Sequence, residues 1–244
     1  MRGTITVFRR ELGGYFGTPV AYVFLIIFLV LSGYLTWIMG QFYERGQADL
    51  RAFFSVHPLL YLALIPALSM RLWAEERRSG TIECLLTLPI SMGGAVLGKF
   101  LAAWAFIGVA LVLTTTNWIS VAYLGNPDHG VIFAGYVGSF MMAGAYLAIG
   151  SLVSAFTKNQ VIAFVISLVT CLLFFLAGQP GVIDVARTFL PEAMVEWVRS
   201  MSLYTHFNAI SRGVVDFRDI VFFLSFIGLL LFANAVVVDH TKAR

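Results

Sequence analysis

The sequence predicts an all-α integral membrane protein of six transmembrane helices, and three observations predict it. Of 244 residues, 59% are hydrophobic and only 12% are charged, with a mean hydropathy of +0.87. A soluble domain carries about 25% charge and about 45–50% apolar residues, so lipid must cover much of this surface. Six windows reach or approach the roughly 20 apolar residues that cross a bilayer: 18–40, 54–72, 100–123, 131–156, 160–177 and 219–238. With both termini cytoplasmic, the inner segments hold ten Lys and Arg against six outside, and five acidic residues against eight. That asymmetry is the positive-inside pattern. The whole chain, 1–244, reads as one transmembrane domain.

The net charge of +3 and pI near 9.0 do not imply a nucleic-acid partner, because the charges are scattered over loops and form no basic face. Cys84 and Cys171 fall at different depths, so no disulfide is expected between them. No small-residue cleavage site follows the first span, which should be retained as a helix.

Residues 2–16 place Ile5, Phe8, Leu12 and Tyr15 at helical spacing, with Arg9, Arg10 and Glu11 elsewhere. This pattern predicts an N-terminal interfacial helix, over about 1–17, on the inner leaflet; a frayed tail is the plainer alternative. Between spans two and three, residues 73–99 form a cytoplasmic loop. The charged run Glu75, Glu76, Arg77 and Arg78 stops at Ser79 and Gly80. A short amphipathic helix should follow, with Gly80 near its N-cap, Glu83 near its third position, and Ile82, Leu85 and Leu86 on one face. Pro89 ends it and Ser91 can cap the next helix. A solvated loop that only anchors topology would explain the charges, but an apolar face there needs a partner or the membrane to cover it. In the outer segment 178–218, Leu190, Met194, Trp197, Val198 and Met201 share one helical face, as expected of a segment lying in or dipping into the outer interface.

Candidate chemistry is sparse. Gly93 to Lys99 matches the GxxxxGK phosphate loop, but Phe100 stands where Ser or Thr must hold magnesium, and no soluble strand precedes it. Lys99 instead reads as a snorkelling residue at the edge of span three. None of the four histidines has a partner at metal-ligand spacing. His57, within span two, should be satisfied by a neighbouring helix. The span cores hold no Lys, Arg, Asp or Glu, which weighs against an ion-coupled transporter. Thr114, Thr115, Thr116 and Asn117 in span three either line a pathway or bond their own helix backbone. Small residues four apart in span four, such as Gly144 and Ala148, serve either packing within the chain or a subunit interface.

The loop carries a resemblance. AEERRSGTIECLLTLPIS, followed by VLGKFLA, resembles the cytoplasmic loop of ABC-2 type permeases, the membrane subunits of ABC exporters. SLYTHFNAISRGVVDFRDIV, leading into the last span, is similar to the same region of the branch typified by the gliding-motility permease GldF. The resemblance implies a non-catalytic permease subunit in the cell inner membrane, paired with a second permease chain as homo- or heterodimer. Two copies of an ABC ATP-binding subunit would dock on it and bind the ATP and magnesium; this chain would need no cofactor and no nucleic acid. A periplasmic or auxiliary membrane subunit fits the same plan. The helix around Thr81–Leu88 would be the coupling helix. Its contact set would be Glu75, Glu76, Arg77, Arg78, Gly80, Thr81, Ile82, Glu83, Leu85, Leu86 and Pro89. Export, of a lipid-like or extracytoplasmic molecule, is the expected direction. A force-transmitting membrane scaffold is the alternative from another class, and an intramembrane enzyme ranks below both.

Overall fold

Apolar periodicity becomes helix almost everywhere. The computed structural model describes residues 2–81 and 91–241, and among these there is no strand. The helices are α1 (Arg2–Phe16), α2 (Pro19–Tyr34), α3 (Phe42–Arg45), α4 (Arg51–Ser69), α5 (Arg71–Ser79), α6 (Met92–Leu113), α7 (Thr115–Leu124), α8 (His129–Phe156), α9 (Gln160–Leu176), α10 (Pro180–Phe189), α11 (Glu192–Ser200), α12 (Leu203–Ser211) and α13 (Phe217–Thr241). Five stretches are long and apolar enough to cross a membrane: Ala21–Arg45, Arg51–Ser79, Met92–Leu124, His129–Phe156 and Phe217–His240. The expected fifth span, α9, falls short by itself. It counts as a sixth only together with α10, bent from it by 77°.

Local chemistry sets the boundaries. Pro19 opens α2 at a position where its missing N–H costs nothing. Ser91 caps α6 by accepting from the Gly94 amide at 3.2 Å, as its place after Pro89 predicts. Asp128 and Asn159 cap α8 and α9 in the same way. A π-helical turn, Leu35–Met39, follows α2 within the first stretch, with the Gly40 amide reaching back five residues to the Leu35 carbonyl.

The most enclosed helix is α8, packed by α4, α5, α6, α9, α12 and α13. Its small residues let these neighbours close in. An added Cβ at Gly144 would lie 2.8 Å from Trp104, and one at Gly138 would lie 2.8 Å from Ile210. Ala148 is fully buried and Ser139 bonds His57 and Tyr61, so this stripe packs the chain against itself. His57 Nδ1 meets Ser139 Oγ at 2.6 Å, the helix–helix partner expected of it, while Nε2 has none among the described residues.

The helices do not end where the apolar windows do. The helix of the second span continues past Leu72, through α5 to Ser79, and Trp73 and Ala74 are fully buried. The third begins at Met92 and breaks at Thr114. The outer segment is three helices. In α11 only Val195 is buried, while Met194 and Trp197 are exposed; α12 packs inward against α8.

Candidate functional site

The charged run sits on a rigid element. Helix α5 is pinned to the C-terminal part of α8 by two serines. Ser154 Oγ accepts from the backbone amides of Trp73 and Ala74, at 3.1 and 3.0 Å, and donates to the Met70 carbonyl at 2.9 Å. Ser151 Oγ accepts from Trp73 Nε1 at 3.3 Å and from Asn234 Nδ2 of α13 at 2.7 Å. These bonds satisfy the backbone where α4 gives way to α5, so the span continues instead of fraying. Gly80, at φ +74°, ends the helix in the left-handed conformation that glycine adopts without a Cβ penalty. It is thus the stop of α5, and Thr81, directly after it, is helical again.

Beside α5 lies an ion cluster, built around a buried lysine, that the sequence reading missed. Lys99, on α6, does not snorkel; only 3% of its side chain is exposed. Its Nζ pairs with Glu76 Oε1 at 2.8 Å and with Glu11 Oε1 at 3.3 Å, and lies 5.2 Å from the centre of the Trp73 ring. Arg10 closes the group, 2.6 Å from Glu11 and 3.6 Å from Glu76. Three helices, α1, α5 and α6, therefore meet through charge. Helix α1 reaches α6 because position 98 is glycine: an added Cβ would stand 2.9 Å from both the Thr4 carbonyl oxygen and Val7 Cβ. The GxxxxGK look-alike is explained by this crossing, which needs Gly98 for contact and Lys99 for the ion pair.

Burial pushes the Glu11 carboxyl up, but Lys99 and Arg10 together outweigh it and hold it below the usual 4.5. A depressed carboxylate stabilises the fold above its unfolded value and loses that contribution as pH falls through the folded one. The protection of α1 amides against hydrogen exchange, taken relative to their intrinsic rates, should therefore be highest at neutral pH and fall below pH 4.5, with Glu11→Gln shrinking the step.

Of the predicted contact residues, Glu75, Arg78, Gly80 and Thr81 are exposed. Glu76 and Arg77 turn inward, Glu76 to Lys99 and Arg77 to the Ala155 carbonyl oxygen. Ile82, Glu83, Leu85, Leu86 and Pro89 lie outside the described residues, as does Cys84. The TTTN run mostly serves its own helix. Thr114, Thr115 and Thr116 donate to the carbonyls of Leu111, Val112 and Leu113, three residues back, at the break between α6 and α7. Thr114 also meets Tyr136 OH at 3.2 Å. Asn117 Oδ1 accepts from Trp37 Nε1 at 2.9 Å and lines an open groove with Tyr43, Ser120 and Tyr123. At the same end of the bundle, the His206 ring bridges two acceptors, Asp219 Oδ1 at 2.6 Å and the Ser200 carbonyl oxygen at 2.9 Å. It thereby ties α12 to the start of α13, the region of the SLYTHFNAISRGVVDFRDIV segment. Among the described residues no cluster of three or more His, Cys, Asp or Glu could hold a metal.

The sequence profile of the ABC-2 family transporter proteins matches residues 18–238, nearly all of the bundle. This chain belongs to the ABC-2 transporter family. No curated protein matches it closely enough to add a relative. ABC-2 members are membrane permease subunits, generally non-catalytic, and normally work with an ABC ATP-binding subunit. The five apolar stretches accord with a multi-pass member of such a family. In these terms the α1–α5–α6 cluster ties together one end of an ABC-2 permease fold, with Glu76 and Lys99 inside the two stretches that resemble the family's cytoplasmic loop.

Proposed function

We propose that this ABC-2 chain is the permease half of an ATP-driven exporter in the cell inner membrane, forming the pathway together with a second permease chain and coupled to ATP hydrolysis by two separate ATP-binding subunits. The observation that supports this best is the mounting of α5. A loop that only marked topology would need no fixed base, yet α5 is bonded to α8, α6 and α1 and ends in exposed Arg78 and Ser79, with Thr81 exposed just beyond its Gly80 stop. Force delivered just beyond Thr81 would enter the bundle through that base. Both termini and this end would then face the cytoplasm, and the coupling contact would run from Glu75 through Pro89. The last-span segment favours the GldF-like branch.

The test is reconstitution of the chain with its ATP-binding partner in proteoliposomes. Coupled transport predicts ATP-dependent movement of substrate, and Leu85→Asp with Leu86→Asp should abolish it while the chain still inserts. A membrane scaffold predicts ATP turnover with no substrate movement. Unchanged transport by the double variant would remove the coupling role.

A further inference from the structure

Between α1, α2 and the α4–α5 span lies a cavity of about 560 Å³, well within the range of about 300–1,000 Å³ typical of ligand sites. Its walls change character along its length. Phe24, Ile27, Leu64 and Leu68 give it apolar walls, and Arg71 and Glu75, both exposed, give it charge further along the α4–α5 span. Arg71 follows Leu64 by seven positions, about 10 Å along a helix. The other cations that line it are already matched, since Arg10 and Lys99 pair with Glu11 and Glu76. Arg71 and Glu75 are different. They sit one turn apart, both exposed, and neither makes an ion pair among the described residues.

Apolar walls that run about 10 Å along the helix to one unpaired cation and one unpaired anion complement a lipid whose headgroup carries both charges. We propose that this cavity is a binding site for a phospholipid with a phosphate and a primary ammonium in its headgroup, of the phosphatidylethanolamine class. Arg71 takes the phosphate, Glu75 takes the ammonium, and an acyl chain lies along Phe24, Ile27 and Leu64. The site needs only the membrane, not ATP-driven transport, so it stands or falls separately from the permease role.

Native mass spectrometry of the full chain in detergent, with added lipid, tests this. Phosphatidylethanolamine should be retained in preference to phosphatidylglycerol, whose headgroup offers Glu75 no cation. Arg71→Gln should lower its retention about fivefold, the factor that one interfacial basic residue adds toward a lipid phosphate. Glu75→Gln should erase the preference between the two lipids. Gly14 lines the cavity and has no atom within 4 Å of an added Cβ. Gly14→Leu should therefore fill the slot and abolish retention with the helix intact. Phosphatidylglycerol binding as well as or better than phosphatidylethanolamine would overturn the proposal. So would displacement of the lipid by inorganic phosphate, or crosslinking of Gly14→Cys to a second copy, which would show another chain filling the slot.

Discussion

Lys99→Met is expected to destabilise the chain by about 3 kcal/mol, the lower end of what breaking a buried ion pair costs. The substitution keeps the bulk of the side chain but leaves Glu11 and Glu76 with only the exposed Arg10 as a shared cation. Those carboxylates retain about a fifth of their exposure, 20% and 18%, and that residual solvation is why the lower end applies. Thermal unfolding in detergent should show the loss. Adding Glu11→Gln and Glu76→Gln to the same chain should recover most of it, because the two carboxylates that had lost the buried cation are then neutral. Failure of the triple variant to recover would mean that Lys99 acts through packing alone, and the cycle would separate the two contributions.

Gly98→Val should release α1. The added branch meets the Thr4 carbonyl oxygen and the Val7 side chain, and Thr4 contributes backbone, which cannot rotate aside. The helix must therefore move as a unit. Overpacking of this kind costs about 2 kcal/mol, enough to raise the released population about thirtyfold. Trypsin cleavage after Arg9 and Arg10 should accelerate by a similar factor, with Gly98→Ala intermediate. Insertion in the membrane should be unaffected, because the spans from α2 onward do not depend on this crossing.

How much of this was legible depends on how local the cause is. The apolar stretches were, because hydropathy over about 20 residues is a property of the segment itself. So was the Ser91 cap, which needs only the three residues after it. The fate of Lys99 was not: its partner Glu11 lies 88 positions away, and a lysine at a span edge looks the same whether it snorkels or pairs. The continuation of α4 through α5 was hidden for a similar reason. Charges at Glu75 to Arg78 suggest an exit from the membrane, but Ser154 and Ser151, on α8, satisfy the helix at that point. The break at Thr114 was half legible. Three threonines in a row invite backbone bonding, yet Tyr136 completes it. The charged run Glu75–Arg78 is plain in the sequence, but which of its residues face outward depends on the tertiary partners of Glu76 and Arg77.

The coupling role requires the end of α5 to face the compartment that holds ATP. Thr81 is exposed just beyond the Gly80 stop, and Cys171 is buried. A Thr81→Cys chain carrying Cys84→Ser therefore offers one reporting thiol. A membrane-impermeant thiol reagent should modify it in inside-out vesicles and leave it untouched in intact cells. Modification in intact cells would place α5 on the outer side, out of reach of any ATP-binding subunit, and would contradict the coupling role.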